Sequence, residues 1–402
     1  MSKKRKNIPR VPATVWTLGM VSMLMDVSSE MIHSLLPLYL VTGLGASTLA
    51  VGLIEGGGEA IASITKAFSG TISDYLGRRK LLATLGYGMS ALVKPVFPLV
   101  GAVSWVASAR FMDRLGKGIR GAPRDALIAD ITPKGLRGAA YGLRQSLDTL
   151  GAFAGPLLAV WLMVLLQNDI QAVFWVAVIP AMGSFLLMAL AVREPEKTTP
   201  PQPPPVFNRA YFSKLTRTYW MVVLTGGTLT LARFSEAFLL LRAADAGISP
   251  GLIPGVLALL SLTYALSSYP AGRLSDSMGR SRIMALGMLV LLGADLLLGL
   301  WGSVGGILAG VVLWGLHMGL TQGLLAAMVA DTLPEEIRGT GFGIFYLVTG
   351  VVLLAASAGA GWLWELLGPG APFLAGALIS CAALALLVLQ RGVSPRRRVS
   401  PK

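Results

Sequence analysis

Seven ionisable residues crowd one otherwise apolar stretch of the chain: Arg110, Asp113, Arg114, Lys117, Arg120, Arg124 and Asp125. In a helix, at about 100° per residue, they fall on one arc of roughly 140°. A charged group at membrane depth is costly unless it is paired, hydrated or neutral, so that arc must face water or other charged helices rather than lipid. Carboxylates suited to it come earlier in the chain, as Asp26 with Glu30 and Glu55 with Glu59. Each pair is spaced i,i+4 and shares a helix face. Two chemistries are open. The basic residues near mid-membrane (Arg114, Lys117 and Arg110) attract an anionic solute, or they neutralise carboxylates on neighbouring helices. The nearby and roughly balanced supply of acids favours the second.

A carboxylate that alternates between apolar surroundings and a nearby guanidinium can take up and release a proton. That is the minimal device for coupling a flux to protons. Asp26 is the first candidate, about twelve residues into its helix and hence about 18 Å deep. Glu30 and Glu59 follow, with Arg110 as the regulating cation and Asp113 beside it. For each of them a permanent salt bridge is the competing reading. Arg124 and Asp125 sit near a helix end, where pairing with Arg78 and Asp74 is the plainer expectation. Arg233 and Glu236 are spaced i,i+3 and are expected to pair with each other, and Arg144 and Asp148 are spaced i,i+4. Arg114, Lys117, Glu55, Arg144, Arg233, Glu236 and His317 form the wider set of candidates for a solute cavity. Asp295 has no explanation at this level.

The elements that must position these groups follow from composition. Of 402 residues, 54% are hydrophobic and 13% charged, and the mean hydropathy is +0.68. A soluble domain cannot hide that much apolar surface. Apolar runs of about twenty residues, the length a bilayer core demands, follow one another along nearly the whole chain. The short alternating segments of a β-barrel are missing. Helices are expected at 14–40, 47–70, 80–101, 103–131, 138–166, 171–192, 218–241, 251–271, 281–301, 304–331, 338–367 and 371–390. The reading is an all-α membrane protein of twelve transmembrane helices.

Charge sets the orientation. The formal net charge is +14, but Lys and Arg gather in alternate loops and in the two tails. That pattern argues for topology and attraction to anionic lipid, not for nucleic acid. Arg242 is the one exception. By the positive-inside rule both termini are cytoplasmic, in a plasma membrane of the bacterial inner type. The basic start leads into a helix without a small-residue cleavage site and reads as a retained first helix. The proline-rich segment within 193–217 cannot continue a helix and reads as a stiff linker. It separates an N-terminal six-helix bundle, 1–192, from a C-terminal one with its basic tail, 218–402.

The two halves repeat. Gly70, Asp74, Gly77 and Arg78 recur as Gly272, Asp276, Gly279 and Arg280. Asp130, Pro133, Arg137 and Gly138 recur as Asp331, Pro334, Arg338 and Gly339 at an offset of 201. Parallel six-helix repeats place a solute site at the interface between the halves, near the midplane. The symmetry is broken by charge. The counterparts of the seven ionisable residues in the fourth helix are Val311, Trp314, Gly315, Met318, Thr321, Leu325 and Ala326, all neutral.

Other chemistries find little support. Two histidines and one cysteine, Cys381, offer no clustered metal-ligand set, and methionine in membrane helices usually serves packing. Gly116, Gly118 and Gly121 match a dinucleotide-binding spacing but lie inside a membrane helix with no preceding strand. No phosphate-binding loop of the ATPase type occurs. The expectation is therefore no enzyme activity and no cofactor beyond a proton as coupling ion.

These motifs resemble the major facilitator superfamily over almost the whole chain. The loop carrying Gly70, Asp74, Gly77, Arg78 and Arg79 is similar to the family's loop between helices two and three, with Tyr75 where a basic residue is usual. That resemblance implies a conformational switch in which acids and arginines change partners, including Asp125 nearby and Gly272, Asp276, Gly279 and Arg280 in the second half. Arg110, Gly116 and Gly118 resemble the family's fourth-helix pattern. Gly151, Gly155 and Pro156 resemble the fifth-helix motif of exporters that exchange solute for protons, though Ala159 and Val160 depart from it. The residues themselves allow close helix approach and a local kink.

The resemblance implies two pseudo-symmetric six-helix bundles and a secondary transporter, expected to export a small organic solute in exchange for protons by alternating access. An organic-anion uptake or exchange carrier using the basic face of the fourth helix is the alternative. A lipid-handling or sensor protein on a transporter scaffold is a further one. The expected partners are a small solute and membrane lipid, no nucleic acid, and the expected state is a monomer.

Overall fold

The computed structural model describes residues 11–194, 213–334 and 337–393, apart from the side chains at 74, 134, 276, 338 and 390–393. The basic tails, most of the linker and the side chains of Asp74 and Asp276 thus lie outside the described residues.

The described chain forms twelve helical spans and no strand. In order they are α1 (Ala13–His33), α2 (Thr48–Leu76), α3 (Arg79–Val93), α4 (Val103–Ile131), α5 (Arg137–Leu165), α6 (Ile170–Ala191), α7 (Arg217–Ala232, resuming as Ala237–Asp245), α8 (Pro254–Met278), α9 (Arg280–Leu300), α10 (Val304–Asp331), α11 (Arg338–Leu367) and α12 (Ala371–Val393). Among the described residues, seven helices are long and apolar enough to cross a membrane by length and composition alone. The charged α4 and the broken α7 are not in that group.

Local chemistry sets the ends. Side-chain oxygens of Ser47, Asp169, Thr216 and Ser303 accept the free amides at the starts of α2, α6, α7 and α10. Gly77 (φ +66°) and Gly279 (φ +87°) occupy the left-handed region where α2 and α8 stop, a conformation that side-chain-bearing residues rarely adopt. This gives the repeated glycine before each loop arginine a backbone role.

Both chain ends of the bundle lie on one face, here called the terminal face. The opposite one is the far face. The first half is built from α1 packed on α5 and α6, and from α4 packed on α2 and α3. In the second half α10 packs on α8 and α9, and α12 on α7 and α9. The halves meet along α2 against α11 and α5 against α8, pairs that exchange under the internal repeat. The α2–α11 seam is lined by small residues: a Cβ on Gly350 would lie 3.3 Å from the Ser63 Cβ, and one on Gly56 would lie 2.8 Å from the Ser357 Cβ. At the far face the seam is sealed. Thr48 Oγ1 donates to the Gly361 carbonyl at 3.0 Å, and the Leu49 amide donates to Glu365 Oε1 at 2.8 Å.

Candidate functional site

The charges of α4 meet partners that come from earlier helices. Arg110 Nη2 donates to Glu55 Oε2 at 2.5 Å and to His33 Nδ1 at 2.7 Å. All three are buried. One turn on, Arg114 Nη1 lies 3.0 Å from Glu59 Oε1. The i,i+4 pair on α2 therefore meets an i,i+4 pair on α4. Asp113 pairs with Lys94 at 3.2 Å, and Lys94 also donates to Ser29 Oγ at 3.1 Å. Arg120 donates to Ser90 Oγ at 2.6 Å and stacks over the Tyr87 ring at 4.9 Å. Three cations and three acids are thereby paired inside the first half, and Arg120 is held by a hydroxyl and a ring face, as buried ions require.

Lys94 is a partner that the sequence reading overlooked. It sits between α3 and Pro95 in an otherwise apolar run, and that isolation was the available signal.

What remains faces a cavity between the halves. Its inner part, about 410 Å³, is lined by Glu30, Lys117, Arg233, Glu236 and Tyr264 among others. A second part, about 310 Å³, continues toward the terminal face past Asp26, Lys66, Arg124 and Asp148. The two parts share Glu30, Lys117, Ala152, Ser261 and Tyr264 and so form one path. Among the described residues, neither Asp26 nor Glu30 has an ion-pair or side-chain hydrogen-bond partner.

Both acids owe their place to α5. A Cβ on Gly151 would lie 3.0 Å from the Asp26 Cβ and 2.7 Å from the Met23 carbonyl oxygen. A Cβ on Gly155 would lie 2.8 Å from both the Glu30 Cβ and the Val27 carbonyl oxygen. The two glycines, four residues apart on α5, receive two acids four residues apart on α1. Pro156 continues the helix beside them as an internal proline.

Several sequence expectations need correction. Arg233 and Glu236 form no ion pair with each other, because α7 is interrupted between Ala232 and Ala237 and the helical i,i+3 geometry is lost there. Both turn to the cavity instead. His317 lies away from the cavity, buried with Nδ1 2.8 Å from the Gly287 carbonyl oxygen. Glu55 is fully buried in its pair with Arg110. Arg144 pairs with Asp148 at 2.8 Å, as their i,i+4 spacing implied, and with Asp125 at 3.6 Å, and it is not part of the cavity lining described above. Arg124 bonds the Ser22 hydroxyl and reaches its neighbour Asp125 at 3.1 Å. Among the described residues the partners of this group come from α1, α4 and α5; the expected pairing with Asp74 falls on a side chain outside the described residues. Asp295 is buried with both carboxyl oxygens unpartnered, against Gly376 of α12.

At the terminal face, Arg79 Nη1 lies 3.0 Å from Asp130 Oδ2. In the second half Arg280, the counterpart of Arg78, is in an ion pair with Asp331. Arg78 is exposed. Lys66 lies over the Tyr346 ring at 5.6 Å, a cross-half contact.

Comparison with known proteins agrees with this architecture. The family model described as Major Facilitator Superfamily matches residues 18–243 and 234–402. An uncharacterised MFS-type transporter of Methanocaldococcus jannaschii is 33% identical over 396 residues, covering 96% of this chain and 97% of that one. The multidrug resistance protein MdtH of Photorhabdus laumondii is 24% identical over 352 residues, covering 83% and 82%. The crystal structure of a bacterial homolog to the human lysosomal transporter Spinster, inward-facing and occupied, superposes with a TM-score of 0.77 at 15% identity. It covers 97% of this chain and 98% of that one. That last likeness concerns the fold.

Proposed function

This chain belongs to the major facilitator superfamily, and on that premise we propose that it exports a small organic solute in exchange for protons. It is an integral multi-pass membrane transporter and not an enzyme. In the proposed arrangement the terminal face is cytoplasmic in a bacterial-type inner membrane, in keeping with the basic loops on that face. The bundles divide within 193–217.

One observation carries the proton reading. Glu55, Glu59 and Asp113 are each held by a cation, whereas Asp26 and Glu30 line the solute path without one. A carboxylate in a water-accessible cavity, free of a fixed counter-ion, can exchange a proton as its surroundings change. Asp26 lies on the terminal side of Glu30, so the two mark successive positions along the path. Solute and proton compete there for the same negative charge, which links one flux to the other. Closure at the far face, with the cavity reaching toward the terminal face, corresponds to the solute-loading state of an exporter. The likeness to a protein named for multidrug resistance supports the outward direction.

The second reading, an organic-anion carrier, rests on Lys117. It reaches the cavity and, unlike Arg110, Arg114 and Arg120, has no ion-pair or hydrogen-bond partner among the described residues.

The test is solute-induced proton release. Lightly buffered, detergent-purified protein is challenged with lipophilic cations, neutral drugs, organic anions and zwitterions, wild type beside Asp26→Asn. Release by one class, lost in the variant, is the expected result. A solute that binds without releasing protons sinks the exchange reading and moves the assignment to the carrier.

A further inference from the structure

The inner cavity carries four charges that no described residue neutralises by direct contact, and they are distributed evenly. The first half contributes one cation, Lys117 on α4, and one anion, Glu30 on α1. The second half contributes one cation, Arg233, and one anion, Glu236, both from the interruption of α7. Among the described residues, none of the four has an ion-pair or side-chain hydrogen-bond partner. The remaining charged groups of the lining cancel locally: Glu59 is held by Arg114, and His33 belongs to the Arg110–Glu55 group.

From this arrangement we infer that the solute is a zwitterion, with its anionic end held by Lys117 and Arg233 and its ammonium end by Glu236. The inference rests on the reading of this cavity as the solute site.

Exclusion by charge leads to it. An anionic solute attracted to Lys117 and Arg233 would bring its charge beside Glu30 and Glu236. A cationic solute would meet the reverse problem. A neutral apolar solute would strip water from four unpaired ions and return nothing for it. A dipolar solute offers both signs, so cations and acids of the lining each meet an opposite charge. Its ammonium end, held by Glu236, also brings positive charge into the cavity that Glu30 lines and so competes with the proton there. The volume of about 410 Å³ lies in the range of small-molecule sites.

The anchors also span the interface. Lys117 belongs to one bundle, and Arg233 and Glu236 to the other. A solute held by all three ties the two walls together, while one that satisfies a single wall does not. Selection and closure therefore use the same contacts.

Three skeleton-matched sets supply the probes: an amino acid, a dipeptide and an aminophosphonate. Each is used as the zwitterion, as the N-acetylated anion, as the cation with its acid esterified or amidated, and in the doubly blocked neutral form. Binding to the purified full chain is read by calorimetry and by thermal stabilisation. The expected result is that at least one zwitterion binds and that blocking either end weakens binding tenfold or more. Arg233→Gln and Glu236→Gln should each weaken the zwitterion similarly, with Arg233→Lys retaining part of the affinity. If a blocked form binds as tightly as its zwitterion, or no zwitterion of any set binds, the inference is overturned. Proton release in the same samples separates this outcome from the exchange reading. A zwitterion that binds without proton release leaves the solute class standing and removes the exchange. Proton release by lipophilic cations alone does the opposite.

Discussion

The missing Cβ of Gly155 would stand 2.8 Å from the Cβ of Glu30. The glycine therefore fixes where a membrane carboxylate can sit, and the same holds for Gly151 and Asp26. A motif expected to act through helix packing also determines the depth and direction of the two acids.

Substitution tests this directly. Gly155→Ala and Gly151→Ala should each cost about 1–3 kcal/mol of stability, because the obstructing atoms include backbone carbonyls that cannot rotate away. Transport should fall with stability. Gly142→Ala, on the same helix with nothing within 4 Å of its added Cβ, should be silent. Thermal unfolding of the three variants in one detergent decides it.

The buried Lys94–Asp113 pair should behave as one unit. Lys94→Met alone leaves an uncompensated carboxylate and should cost about 3–5 kcal/mol. Lys94→Met combined with Asp113→Leu should recover most of that loss. A double variant as unstable as the single one would show that Asp113 is held by something other than charge pairing.

The two terminal-face pairs should differ from the buried one. Arg79–Asp130 and Arg280–Asp331 are partly exposed, so Arg79→Gln and Arg280→Gln should each change stability by no more than about 1 kcal/mol. Their effect is expected on the balance between conformations, read as altered transport rate at unchanged melting temperature.

Glu365 caps α2 from the other half through the Leu49 amide. Glu365→Ala should weaken the far-face seal by about 0.5–2 kcal/mol, the usual value of such a cap. In a Cys381→Ser background, Ala46→Cys should then react faster with a membrane-impermeant thiol reagent. Unchanged labelling would mean that the small-residue seam alone keeps this face shut.

Much of this could be read from residue spacing. The acids of α2 and the bases of α4 share an i,i+4 interval, so their meeting follows once the helices are adjacent. The repeat sets Asp331 against Asp130 and Arg280 against Arg78, yet the ion pair of the first half is made by Arg79, one residue further on. The interruption of α7 was not legible, since the chain from Arg233 to Glu236 contains neither glycine nor proline. A continuous helix was expected there, and the Arg233–Glu236 pairing built on it failed. The seat of Glu30 on Gly155 was hidden for another reason. It depends on the register between two helices far apart in sequence, which neither helix specifies alone.

Every direct partner described here for Arg110, Asp113, Arg114 and Arg120 precedes α4 in the chain: His33, Glu55, Glu59, Tyr87, Ser90 and Lys94. This order bears on biogenesis. An Arg, Lys or Asp at the centre of an isolated helix opposes insertion by about 2.5–3.5 kcal/mol each, so α4 cannot enter lipid by itself. By the time the ribosome delivers it, the groups that neutralise it have already been synthesised. The first half must therefore assemble as a multi-helix unit at the insertion machinery. The neutral α10, at the equivalent place in the second half, is free to partition into the bilayer alone.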